Sequence, residues 1–147
     1  MQRRTLLLGT AVTLMTSIPA FADALPRARL YKNPQCGCCE NYASYLRGNG
    51  FRVDVTPTDD LPNMNRSAGI PDALQSCHLM LLDGYFVSGH VPANFVHKLI
   101  AERPAVGGIA LPGMPAGSPG MPGTKAEMFI VYAIAKDGGR PSVYGEE

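Results

Sequence analysis

Four cysteines occur in the 147-residue chain, and three of them, Cys36, Cys38 and Cys39, crowd into the stretch Pro34-Gln35-Cys36-Gly37-Cys38-Cys39. A short apolar run, Ala28 to Tyr31, precedes them and reads as a strand. Glu40 to Leu46 follows and reads as the first turns of a helix. Thiols at such a junction face unpaired backbone N–H groups and the positive end of the helix dipole, and both favour thiolate. Thiolate is the form that attacks disulfides and binds soft metals. Cys36 and Cys39 have the C-x-x-C spacing of a thiol–disulfide oxidoreductase. Cys38 counts against that reading, because a third thiol between the pair competes to form wrong disulfides.

The fourth cysteine, Cys77, stands just before the apolar run Leu79–Leu82. If that run is a strand beside the first, Cys77 joins the other three. Four converging thiolates suit Cu(I), Zn(II) or a bridged cluster. Zinc with four cysteines normally uses two separated C-x-x-C knuckles, so one crowded knuckle plus a distant cysteine favours copper over zinc. Iron–sulfur spacings do not match. The bland alternative is a Cys36–Cys39 disulfide with Cys38 and Cys77 inert. His78 adjoins Cys77, and His90 precedes a helix start. Either can reach the same place or serve only the fold. His97 reads as part of a solvated helix face. Met114 and Met121 are soft thioether donors that can equally act as packing.

The elements that must position these residues follow from periodicity. Tyr42, Ala43 and Leu46 share a helix face, and Gly48-Asn49-Gly50 ends that helix. Phe51, Val53 and Val55 alternate with polar residues as a strand does, which makes a βαβ unit with two parallel strands. Asp59 or Asp60 can cap a short helix with Leu61, Met64 and Ala68 inward. Asp83-Gly84 between two apolar runs is a two-residue hairpin signal. Pro92 opens a helix with Phe95, Val96, Leu99 and Ile100 on its apolar face. Val106–Thr124 is rich in glycine and proline and reads as a long loop, with Pro112-Gly113-Met114-Pro115 echoed at Pro119-Gly120-Met121-Pro122. Its repeated methionine suggests a lid over the cysteines. Two strands around Asp137-Gly138-Gly139 close the chain. The order gives an α/β class with a mixed sheet, laid out as in thioredoxin-like proteins, with an extra C-terminal β-hairpin and a long Gly/Pro loop.

Residues 1–22 read as an export signal: Arg3 and Arg4, an apolar stretch from Leu6 to Ile18, and the small-x-small site Ala20-Phe21-Ala22. Arg3-Arg4 followed by Thr5-Leu6-Leu7 weakly resembles a twin-arginine signal. Cleavage would leave residues 23–147 as one domain. With Arg3 and Arg4 removed, 11 basic side chains face 12 acidic ones. That balance argues against a nucleic-acid partner and against electrostatic docking to a membrane. The destination implied is the periplasm, where unprotected cysteines pair.

Tyr31-Lys32-Asn33-Pro34-Gln35-Cys36-Gly37-Cys38-Cys39, Ser76-Cys77-His78, Gly84-Tyr85, Gly89-His90-Val91-Pro92-Ala93, Leu111-Pro112-Gly113-Met114-Pro115 and Gly117-Ser118-Pro119-Gly120-Met121 together resemble the CopG-type family. The resemblance spans roughly residues 28 to 145. It implies a thioredoxin-like fold, copper binding by the cysteines, and a role in periplasmic copper tolerance alongside other copper-handling proteins. The copper role carries to Cys36, Cys38, Cys39 and Cys77. His78, His90, Met114 and Met121 carry over only as motif members. Whether the chain is an enzyme stays open, with a thiol–disulfide oxidoreductase using Cys36 and Cys39 as the rival function.

Overall fold

The computed structural model describes residues 25–147; the expected export signal lies outside them. Seven strands form one mixed sheet in the order β2-β1-β3-β4-β5-β6-β7. They are β1 (Arg27–Lys32), β2 (Arg52–Pro57), β3 (His78–Leu82), β4 (Tyr85–Ser88), β5 (Gly108–Ala110), β6 (Ile130–Ile134) and β7 (Ser142–Glu146). Three helices join them, α1 (Gly37–Gly48), α2 (Leu61–Ser67) and α3 (Ala93–Glu102). This is the α/β class with a mixed sheet expected from the sequence.

Alternation decides what each strand buries. In β1, Ala28, Leu30 and Lys32 point to one face and are buried, while Arg27 and Arg29 on the other are exposed. β2 runs parallel to β1 because α1 returns the chain across the sheet. In α1 the buried residues are Cys39, Tyr42, Ala43 and Leu46, the i, i+3, i+4, i+7 stripe of a helix packed by one face. That stripe meets Val96 and Leu99 of α3 and Leu30, Met80, Val87, Ile109 and Val131 of the sheet. A second cluster, with Leu61, Ile70, Leu74, Leu79, Phe86 and Ile134, lies on the opposite face beneath α2. The core is therefore two layers of helix around one sheet.

Three details differ from the expected elements. The helix after the first strand starts at Gly37, with Cys36 in its N-cap position, so Cys38 and Cys39 belong to its first turn. Val106–Thr124 is not wholly irregular: Gly108–Ala110 is a strand paired in parallel with β4. Gly108 is required there, since a Cβ would stand 2.1 Å from the Phe86 carbonyl oxygen. The link Asp72–His78 contains a short 3-10 turn at Asp72–Leu74. The Asp83-Gly84 hairpin is as expected, both residues having positive φ, +50° and +83°.

Candidate metal centre

Sheet register brings the chemistry to one end. β1 and β3 are antiparallel with Lys32 opposite His78, so the turn that leaves β1 and the residue that enters β3 are neighbours. Cys36, Cys38 and Cys39 follow the first, and Cys77 precedes the second. β4 is antiparallel to β3 with Ser88 opposite Leu79, so Gly89-His90 leaves the sheet at the same end. β5 runs parallel to β4 with Ala110 beside Ser88, and the loop after it departs there too.

Gly89 makes the turn to His90. Its φ is +81°, and a Cβ would lie 2.2 Å from the Leu111 carbonyl oxygen, so only glycine fits. Two tyrosines of α1 fix the next residues. The Tyr42 hydroxyl donates to the Val91 carbonyl at 2.8 Å, and the Tyr45 hydroxyl accepts the Ala93 N–H at 3.0 Å. Burial raises the Tyr42 pKa, so this hydroxyl keeps its proton.

The four sulfurs converge. Cys36 and Cys39 form a disulfide, and Cys38 and Cys77 are free, half-buried thiols. Cys77 Sγ lies 3.5 Å from Cys39 Sγ and 3.9 Å from Cys38 Sγ, and Cys38 Sγ lies 3.4 Å from Cys36 Sγ. A donor atom from each of the four falls within 4.8 Å of every other. Cys77, His78 and His90 form a second group by the same measure, so Cys77 belongs to both.

The imidazoles are fully buried. His90 Nε2 is 3.4 Å from Cys77 Sγ, and its Nδ1–H donates to the Pro119 carbonyl at 2.7 Å. His78 Nδ1 is 3.6 Å from the same sulfur, while its Nε2 is buried without a hydrogen-bond partner. The His78 ring stacks on Tyr42 at 4.8 Å and meets His90 edge-on at 5.0 Å. Burial, and secondarily His90, pushes the His78 pKa down to about 3. Burial also lowers that of His90. Both rings are thus neutral near pH 7 and can offer a lone pair. Burial, then Cys38, pushes the Cys77 thiol up to about 11. A cation beside that sulfur reverses this preference, because it stabilises the thiolate directly. The imidazole nitrogens that face Cys77, Nδ1 of His78 and Nε2 of His90, and the sulfur set are together a donor set of the kind a soft metal takes.

Lys32, to which the sequence alone assigned no role, also lies at this site. It is 4 % exposed, and its Nζ donates to the carbonyls of Cys36 at 3.1 Å and Pro34 at 3.3 Å. Glu40 Oε1 lies 3.4 Å away. A buried ammonium clamped on the cysteine turn offsets negative charge that gathers there. The signal was available: lysine occupies the third inward position of a strand that otherwise places Ala28 and Leu30 inward.

The glycine–proline segment covers part of this end. Gly120 abuts the backbone of Tyr42, where a Cβ would be 2.6 Å from the amide nitrogen. The segment therefore packs on α1 as a lid would. Met114 is exposed and Met121 half-buried, so the expected inward methionine is not Met114. His97 is half-buried rather than solvated, with Nε2 3.0 Å from the Asn49 carbonyl and its ring on Phe51 at 4.5 Å.

A mixed-sheet α/β domain that gathers cysteines and histidines at one sheet end defines a class of small metal-site proteins. Two solved structures narrow it: "Copper resistance protein copG- Form 1" and its Form 2. Each is 36% identical to this chain, with a TM-score of 0.77, covering 84% of this chain and 98% of the other. The chain belongs to the CopG copper-resistance family. The family model described as "Protein of unknown function, DUF411" matches residues 74–121, which hold Cys77, His78, His90 and most of the glycine–proline segment. No curated protein matches.

Proposed function

We propose that this chain is a periplasmic copper-binding protein of thioredoxin-like fold that sequesters or redox-cycles copper and so contributes to copper tolerance. The observation that carries the reading is the position of Cys77, within 3.9 Å of two sulfurs from α1 and 3.4 Å from His90 Nε2. Cys36, Cys38, Cys39 and Cys77 would hold Cu(I) as thiolates, with His90 and His78 as further nitrogen donors. Met121 is a weaker additional donor, and Met114 weaker still because it is exposed. Bound copper supplies a soft, thiophilic cation that tolerates few ligands and shared sulfurs, which zinc does less readily. The membership in a copper-resistance family supports copper as cargo, and residues 1–22 support export.

The Cys36–Cys39 disulfide ties up two of the four sulfurs. Holding Cu(I) on all four sulfurs needs this pair as two thiols, so copper capacity follows the redox state of the pair. The same disulfide favours the second reading, a thiol–disulfide oxidoreductase, because it joins the C-x-x-C pair at a helix N-terminus.

Cys38→Ser separates the two. An enzyme using Cys36 and Cys39 keeps its activity toward disulfides, while a copper site loses a bridging sulfur and binds Cu(I) more weakly. Unchanged copper affinity in Cys38→Ser, with efficient reduction of insulin disulfides by the parent, would select the oxidoreductase.

A further inference from the structure

The segment that packs on α1 contains an ordered turn. Ser118, 1 % exposed, donates both its N–H, at 3.1 Å, and its hydroxyl, at 2.6 Å, to the Pro115 carbonyl. The Met121 N–H then donates to the Ser118 carbonyl at 2.9 Å, closing a four-residue turn over Ser118-Pro119-Gly120-Met121. Gly120 has φ +81°. Proline at the second position, with its fixed negative φ, and glycine of positive φ at the third define a type II turn. In that turn the central peptide is flipped relative to a type I turn, so the turn type decides which way the Pro119 carbonyl faces. Here it faces His90.

We infer that this Pro-Gly turn is a clasp that selects the His90 tautomer, making the Pro119 carbonyl a positioning group for the metal centre. The inference rests on the reading of His90 as a donor to copper. A carbonyl oxygen can only accept, so at 2.7 Å His90 Nδ1 must carry the proton. The neutral ring then has a bare Nε2, and that is the atom 3.4 Å from Cys77 Sγ. If the carbonyl turned away, the buried ring would gain by protonating Nε2 and donating to the Cys77 sulfur. That tautomer has no lone pair left for a metal on the sulfur side. Hydrogen bonding of the far nitrogen is the general means by which a metal-binding histidine is held in the right tautomer. Here the acceptor comes from a loop that is distant in sequence and seated on α1. The Asn41 side-chain amide lies 3.5 Å from the Gly120 carbonyl, and the absence of a Gly120 Cβ permits the close approach to Tyr42.

Gly120→Ala disfavours the type II turn and collides with α1, and it touches no metal-binding atom. Pro119→Ala deletes the ring but keeps the carbonyl and tolerates the same turn. The experiment is nitrogen-15 NMR of the histidine side chains in reduced, metal-free protein, followed by Cu(I) competition with a chromophoric chelator. The expected result is Nδ1–H in the wild type and in Pro119→Ala, a shift toward Nε2–H in Gly120→Ala, and about 10- to 100-fold weaker Cu(I) binding in Gly120→Ala alone. The wild-type spectrum tests the assignment even if Gly120→Ala does not fold: Nε2–H at His90 overturns it. A changed tautomer with unchanged copper affinity overturns it too. The tautomer is read without metal, so the clasp stands or falls separately from copper binding by the parent chain.

Discussion

The two ends of the sheet handle polar atoms in opposite ways. At the end where β1 stops and β3 starts, four sulfurs, two imidazoles and the Lys32 ammonium are drawn in, and both rings are fully buried. At the other end a cleft of about 570 Å³ opens between Arg27, Arg29, Leu81, Phe86, Gly107 and Lys136. Its charges stay in water: Arg27 pairs with Asp54 at 2.9 Å while both remain more than half exposed, and Arg103 pairs with Asp83 at its margin. Exposed ion pairs of this kind contribute little to stability. This open cleft lies at the end whose charged groups have not converged. A metal site is recognised by donors that have converged with few alternative partners.

The largest effect belongs to the sulfur shared by both donor groups. Cys77→Ser should weaken Cu(I) binding by more than about 100-fold, beyond what loss of a supporting contact does. Chelator competition on reduced protein measures it, and a loss of only a few-fold would move the centre away from Cys77.

Glycine substitutions set the two ends against each other directly. Gly89 and Gly84 have nearly the same φ, +81° and +83°, but a Cβ at Gly84 meets nothing within 4 Å and one at Gly89 meets a carbonyl at 2.2 Å. Gly84→Ala should cost about 1–2 kcal/mol, the price of a left-handed non-glycine residue. Gly89→Ala should cost about 3 kcal/mol or more, since backbone must also move. Equal losses in denaturant unfolding would show that the metal end is as loosely packed as the hairpin end.

The buried imidazoles give the metal end a pH signature. The folded-state pKa of His78, about 3, lies below its ordinary value of 6.5. Between those values the unfolded chain binds a proton that the folded chain refuses, so stability is retained above about pH 6.5 and falls as the pH drops toward 3. One such group gives a slope of about 1.4 kcal/mol per pH unit. Metal-free His78→Gln should unfold with a correspondingly shallower dependence in that window; an unaltered slope would contradict the burial argument.

The smallest effect is expected at the cleft. Arg29→Glu or Lys136→Glu should change stability by no more than about 0.5 kcal/mol and leave copper affinity unchanged. A marked fall in affinity would mean that the two ends communicate.

How far the sequence reveals this arrangement differs from element to element. Cys77 could be placed beside the C-x-C-C turn once the apolar run after it was set next to the first strand, as the thioredoxin-like layout does, and the hairpin at Asp83-Gly84 announced itself through turn chemistry. The α1 stripe was legible from Tyr42, Ala43 and Leu46. β5 was not, because Gly108-Ile109-Ala110 is too short for a period and sits among residues that signal loops; its pairing is a tertiary outcome. His90 could be named but not oriented, since its direction depends on the backbone at Gly89 and on a turn some thirty residues later in the chain. The oxidation state of the cysteines is likewise not written in their spacing, which allows either a disulfide or a four-thiol site.

Those two states make the most direct measurement. Reduced protein is titrated with Cu(I) under anaerobic conditions, the bound metal is counted, and each cysteine is tested for alkylation by mass spectrometry with and without copper. The account predicts retained copper and loss of alkylation at Cys36, Cys38, Cys39 and Cys77 together, with much less copper held once the Cys36–Cys39 disulfide has formed. Alkylation of Cys38 and Cys77 at the same rate with and without copper would contradict a shared four-sulfur site.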